Sequence, residues 1–270
     1  MPLGAAKAKK ALDVGPIAIT RDKVPTGILV ILKREISAVA LSKILSLLSE
    51  FPILRVLASG ESGDRCLCYV IVDAKGRAEK LREAVKQIRA MSEVESVEVR
   101  RPLGSLLIEV PYDIIVYSGF RVMVFAQPAF GAFIRAVQGT LGASGMALLY
   151  HMGFSLGNYA FKGHLPPPSV KNRYEIAMAI TREFIRASGI GRVELVSLDR
   201  RACSARVRVW DSFECELFKG STSPSSHFVR GIIAGWLSAY FGWEVYAEET
   251  KCIARGDRHC EFRVRRAKPG

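Results

Sequence analysis

Residues 248–262 read Glu-Glu-Thr-Lys-Cys-Ile-Ala-Arg-Gly-Asp-Arg-His-Cys-Glu-Phe, and the folding of this stretch decides how the second half of the chain is read. The Gly-Asp pair between two strand-like runs describes a β-hairpin turning at Arg255-Gly256-Asp257. With a three-residue loop of that kind, Cys252 faces Cys260 across the ladder, their Cβ atoms about 5 Å apart. Two thiolates so placed chelate one zinc ion through bonds of about 2.3 Å. Glu249 lies three residues before Cys252, on the opposite face of a regular strand, and joins the pair only where the strand bulges. Cys215, His227 or a water molecule are the candidates for a fourth ligand. A Cys252–Cys260 disulfide and two free buried thiols are the competing readings.

Working back from the hairpin, residues 225–241 form a strongly apolar helix ended by Gly242, and residues 193–198 and 205–210 read as strands. Residues 172–188 are helical, with Ile176, Ala179, Ile180, Phe184 and Ile185 on the inner face. Ahead of them, Pro166-Pro167-Pro168 breaks a long helix that Pro128 opens. Residues 141–161 carry no formal charge and are long enough to cross a bilayer. They contain His151, Asn158, two serines and four glycines, so a buried helix is expected rather than a span. Gly153 and Gly157 in that helix, and Gly231 and Gly235 in the later one, place small residues on one face and predict a tight helix–helix seam.

From residue 27 to 101 the texture alternates differently. Residues 28–32, 53–58, 66–72 and 94–99 read as strands, and 38–51 and 78–91 as amphipathic helices. The second helix presents Leu81, Ala84, Val85 and Ile88 together. The order βαββαβ predicts an antiparallel sheet with both helices on one face, a ferredoxin-like unit. It resembles the ACT family of regulatory domains in topology. The turn where that family places a glycine, Lys33-Arg34-Glu35-Ile36-Ser37, has none, so a dimerising or docking role is expected in place of amino-acid binding.

The run Trp210-Asp211-Ser212-Phe213-Glu214, then Gly231-Ile232-Ile233-Ala234-Gly235, then Glu249-x-x-Cys252-x-x-x-Gly256-x-x-x-Cys260 resembles the 4-vinyl reductase domain family. That family includes the sensor domains of aromatic-responsive transcription regulators and is related in fold to TRAPP vesicle-transport subunits. The fold class expected is therefore α+β: a flexible basic tail over 1–24, an ACT-like domain over 25–101, and a larger 4-vinyl-reductase-type ligand-binding domain over 102–267. In the phenol-sensing members, the matching glutamate and two cysteines bind zinc with a third cysteine just ahead of the Gly-x-x-x-Gly helix. Here that position is Ser226, so the resemblance implies zinc on Glu249, Cys252 and Cys260, with His227 or Cys215 replacing the missing ligand. It also implies an apolar cavity near the metal for a small aromatic molecule, for which Phe154, Tyr159, Phe184, Trp210, Trp236 and Tyr246 are candidate walls.

Charge and composition bound the rest. The 270 residues carry a formal charge of +13, an electrostatic footprint that nucleic acid or an anionic membrane would match. No helix-turn-helix, zinc finger or aromatic-basic RNA-binding signature accompanies it, so specific nucleic-acid binding is not expected. The first twelve residues lack the apolar run of a signal peptide and the six cysteines are scattered, which predicts a cytoplasmic protein. No Gly-x-x-x-x-Gly-Lys-Ser/Thr loop, dinucleotide fingerprint or acid–base pair is visible, and no catalytic residue is assigned. The expected role is a ligand-responsive regulatory protein, a homodimer acting through a protein partner. An assembly adaptor of the TRAPP kind and a vinyl reductase acting on a tetrapyrrole are the alternatives.

Overall fold

The computed structural model describes residues 18–19, 22–33, 38–62, 65–102, 106–107, 115–117, 120–123 and 125–267. The chain divides into two compact units, Met1–Met123 and Val124–Gly270. Both mix helix with antiparallel sheet, so the fold is α+β as expected.

In the first unit, β1 (Ala18–Ile19) precedes β2 (Pro25–Leu32), α1 (Ala38–Leu47), β3 (Ile53–Ser62), β4 (Arg65–Asp73), α2 (Ala78–Arg89) and β5 (Val94–Arg100). The sheet order is β3-β4-β2-β5, all antiparallel, the arrangement the βαββαβ order predicts. An uninterrupted apolar run suits a strand covered on both faces, and β2 is such a strand. Ile28, Val30 and Leu32 pack with Ile44, Leu48, Leu81 and Ile88 under the helices. Leu29 packs with Tyr69 and Ile71 on the other face. Leu81, Ala84, Val85 and Ile88 are the buried residues of α2, as their spacing requires. Short pairs β1 with β6 (Leu106–Leu107), and β7 (Ile115–Tyr117) with β8 (Phe120–Val122), complete this unit. The glycine-free turn noted above falls at 34–37, outside the described residues.

The second unit opens with α3 (Gln127–His164), which Pro128 begins and the Leu165-Pro166 step ends. It contains a kink at Gly142, whose φ of 53° and ψ of −126° no helix interior adopts. Then come α4 (Arg173–Ala187), β9 (Arg192–Asp199), β10 (Ser204–Trp210), the one-turn α5 (Phe213–Glu216), α6 (His227–Phe241), β11 (Val245–Lys251) and β12 (Cys260–Arg266). The sheet runs β11-β12-β10-β9, antiparallel throughout. Ala205, Val207 and Val209 of β10 and Cys260, Phe262 and Val264 of β12 alternate into the core, which α6 shares.

The glycine seam lies between α3 and α6 of the same chain. A Cβ added at Gly153 would collide with the Phe228 carbonyl oxygen, and one at Gly157 with that of Ile232. Reciprocally, Gly231 and Gly235 abut the carbonyl oxygens of Tyr150 and Phe154. Backbone thus rests on backbone at four successive points, a spacing no side chain fits.

Two expectations are corrected. The uncharged stretch 141–161 is buried along one stripe only: Gly145, Leu149, Gly153, Gly157 and Phe161 face the core, while Leu141, Leu148, Met152, Leu156 and Tyr159 are exposed. Among the described residues no helix is long and apolar enough to cross a membrane. On α4 the inner face is rotated by one residue, so that Ala177, Thr181 and Ile185 are buried and Ile176 and Ile180 exposed. The polar Thr181 is tolerated inside because its hydroxyl donates to Ala177 O and accepts from Trp236 Nε1 at 2.9 Å.

Candidate metal centre

Two adjacent residues of α5 serve different ends of the site. Glu214 is fully buried and accepts from the backbone N–H groups of Phe228 and Val229, both at 2.9 Å. It thereby satisfies amides that the start of α6 leaves unpaired. Burial pushes its carboxyl up to about 7, against the lowering by those amides and by Arg230. Cys215, next in sequence and equally buried, points its sulfur toward the hairpin.

The hairpin is built otherwise than its sequence spacing predicts. The ladder ends at Lys251 opposite Glu261, and a 3₁₀ turn over Ile253–Arg255 lengthens the connection. Cys252 N–H donates to Asp257 Oδ2 at 2.8 Å and Asp257 N–H returns to Cys252 O at 3.2 Å, so the aspartate closes the loop onto Cys252. Cys252 consequently lies beyond the ladder and not opposite Cys260, which pairs instead with Val209 of β10. The bulge that Glu249 requires is present. Glu249 sits opposite Phe262 and Lys251 opposite Glu261, leaving Thr250 as the extra residue. One added residue resets the alternation and brings Glu249 and Cys252 to the same side.

The outcome is a cluster in which ligand atoms of Cys215, Glu249, Cys252 and Cys260 all lie within 4.8 Å of one another. Cys215 Sγ is 3.4 Å from Cys252 Sγ and 3.3 Å from Cys260 Sγ. A tetrahedral zinc ion with bonds of about 2.3 Å would hold its sulfurs about 3.8 Å apart, a small outward adjustment. All six cysteines are free, so the disulfide reading is set aside. Ser226, the N-cap of α6, stands among the four. Its hydroxyl donates to Glu249 Oε1 at 2.8 Å and lies 2.7 Å from Cys215 Sγ, while its N–H donates to Glu249 Oε2 at 3.1 Å. Serine thus occupies the position matching the family's third cysteine and orients two donors without being one of the four.

The electrostatics fit a cation. Burial pushes Glu249 up to about 7, helped by Cys252. Hydrogen bonds from Cys215 and Cys260 pull the Cys252 thiol well below its ordinary range. Those same contacts with Cys252 and Cys260 hold Cys215 far above it. At Cys260 the Cys215 contact is lowering, but Cys252 and burial outweigh it and push the thiol up to about 12. One sulfur ionises readily; the rest cannot follow unless positive charge arrives. A soft divalent cation suits three sulfurs and one carboxylate oxygen.

His227 lies outside this group. It lines a polar cavity of about 320 Å³ with Arg230, Tyr246, Glu248 and Glu249, and burial lowers its pKa. The six aromatic side chains named from the sequence are dispersed. Trp236 lines a separate cavity of about 60 Å³ with Met178, Ile185, Val207, Ile232 and Leu237. Trp210 lies on β10 out of register with the inward Val207 and Val209. It donates to Glu194 Oε2 at 3.0 Å, lies beside the His259 ring and sits under Arg192. Phe154 belongs to the glycine seam, Phe184 lies beside His164, Tyr246 is at the polar cavity, and Tyr159 is 68% exposed.

With this geometry in place, comparison with known proteins is informative. Residues 205–266 match the 4-vinyl reductase domain. The recognition drawn from the glycine helix and the cysteine hairpin is borne out, and the matched segment contains all four cluster residues. The chain is 26% identical over 125 residues to the uncharacterized protein MJ1642 of Methanocaldococcus jannaschii, covering 46% of this chain and 67% of that one. Among solved structures it is similar to the phenol-responsive sensory domain of the transcription activator PoxR, with 21% identity, 56% of this chain and 79% of that chain covered, and a TM-score of 0.50. An ACT domain from the GTP pyrophosphokinase of Chlorobium tepidum aligns over 28% of this chain and 97% of its own, at 18% identity and a TM-score of 0.25. The PoxR likeness is one of fold.

Proposed function

We propose that this chain is a ligand-responsive regulatory protein. Its 4-vinyl-reductase-type unit is fastened by a zinc ion on Cys215, Glu249, Cys252 and Cys260, and takes a small apolar or aromatic effector beneath α4. The observation that carries the reading is the convergence of three buried sulfurs and one carboxylate within 4.8 Å, drawn from α5, β11, its following loop and β12. A metal there ties the terminal hairpin to α5, while Glu214 and Ser226 of the same assembly hold the start of α6. The Ser226 substitution and the recruited Cys215 make this a relocated version of the ligand set that the family resemblance implies.

The apolar cavity supports the effector. Its volume of about 60 Å³ is less than half the about 150 Å³ that accommodates benzene, so an aromatic ligand enters by lifting α4. Output passes through a partner, and the exposed uncharged face of α3 at Leu148, Met152 and Leu156 supports a homodimer.

Protein purified under reducing conditions is expected to hold close to one zinc per chain and to melt at lower temperature after chelation. A panel of small aromatic compounds should raise the melting temperature, as ligands selective for the native state do. Zinc near zero would remove the metal, and a panel without any shift would remove the effector.

A further inference from the structure

The first unit contains a groove of about 770 Å³ between α2 and the strands beside it, unconnected with the metal cluster. Its floor is aliphatic: Leu81 and Val85 from α2, with Val24 and Val99 from the sheet side. Its rim is cationic, formed by Arg82, Lys86 and Arg89 along α2 and by Arg101 just past β5. No acidic side chain lines it, and no aromatic one.

The rim charges are unequally committed. Arg82 pairs with Glu79, and Arg89 donates to Val97 O at 3.1 Å. Lys86 and Arg101 have no side-chain partner among the described residues. Cations near the end of α2 would complement its dipole without any ligand. That accounts for Lys86 and Arg89 but not for Arg101, which approaches from the sheet. Two uncommitted cations converging from different elements over an apolar floor describe a receptor for a molecule with one charged end and one greasy end. Base stacking needs aromatic platforms, which this groove lacks, so the chain's net positive charge is not read here as a nucleic-acid track.

We propose that this groove binds an aliphatic carboxylate, its hydrocarbon chain laid on Leu81, Val85 and Val99 and its carboxylate held between Lys86 and Arg101. Guanidinium matches carboxylate in a planar two-bond geometry, and the ammonium adds a second charge-assisted contact.

The test is isothermal titration calorimetry of the full chain with octanoate. Saturable binding at one per chain is expected, weakening at least tenfold in the Lys86→Glu/Arg101→Glu double variant. The more conservative Lys86→Gln/Arg101→Gln variant should show an intermediate loss. Octanol should bind at least tenfold more weakly, and butyrate more weakly than octanoate by up to about fourfold per missing methylene. Both variants alter exposed side chains, so unchanged metal content and melting temperature are expected. Equal affinity of octanoate for wild type and double variant would overturn the proposal, placing the acid elsewhere. Displacement of octanoate by equimolar inorganic phosphate or by an oligothymidylate would also overturn it, reducing the groove to an unselective cationic surface.

Discussion

Two helices of the second unit are the same length and could hardly be held more differently. Eleven of the fifteen residues of α6 are buried, against three of the fifteen of α4. Backbone contacts at Gly231 and Gly235 fix α6 against α3, the Glu214 carboxylate fixes its first turn, and Ser226 couples that turn to the cysteine cluster. Helix α4 rests on the sheet through Ala177, Thr181 and Ile185, with Ile176 and Ile180 turned to solvent and a cavity beneath it. The lesson is a division of labour within one sheet-and-helix layer. One helix is the fixed wall and the other the movable one, and a response to a ligand belongs to the element with the smaller buried contact.

The comparison breaks most visibly at the seam. Gly235→Leu would force a side chain into the Phe154 carbonyl, so a loss of about 3 kcal/mol or more, or failure to fold, is expected in urea denaturation. A near-wild-type midpoint would mean that α3 and α6 slide freely, and the fixed-wall description would fail. Next in size is Glu214→Gln, which turns an amide N–H₂ toward N–H groups that need an acceptor. A loss of about 1–3 kcal/mol is expected by the same measurement.

A smaller effect probes the link between the two helices. His164 Nδ1 lies 2.8 Å from Thr181 Oγ1, and burial lowers the histidine's pKa. A group whose folded pKa is depressed contributes stability that is present above its unfolded pKa, about 6.5, and is lost as pH falls below it. The melting temperature should therefore decline between pH 7 and 5, and His164→Leu should flatten part of that decline. An unchanged slope would detach His164 from the packing of α4. Smallest of all, Ile180→Ser on the exposed face of α4 should stay within about 0.5 kcal/mol of wild type in the same denaturation assay. A large loss would show α4 to be as firmly held as α6.

Much of this was legible in the chain because it rests on periodicity. The βαββαβ order, the inner face of α2 and the paired glycines follow from spacings of 2, 3.6 and 4, which local sequence encodes directly. The inner face of α4 was not so legible. Thr181 looks like a surface residue until Trp236 and Ala177 supply its hydrogen bonds, and those partners are 55 and 4 residues away. At the metal centre, Glu249, Cys252 and Cys260 could be named from the hairpin, but the Thr250 bulge that unites them has no sequence mark of its own. Cys215 competed on equal terms with His227, since nothing local reveals that the one-turn α5 aims its sulfur inward. Glu214 caps a helix that starts thirteen residues later, beyond the reach of any local capping rule. The aromatics were least legible of all, because aromatic type gives size without direction.

The claim on which the rest stands is that three sulfurs and one carboxylate oxygen close around a single ion. X-ray absorption at the zinc edge of the purified protein reads that donor set directly. The structure predicts three sulfurs near 2.3 Å and one oxygen near 2.0 Å, falling to two sulfurs in Cys215→Ser. A spectrum with two sulfurs and nitrogen in the wild type, unchanged by Cys215→Ser, would put His227 in the site and contradict the assignment made here.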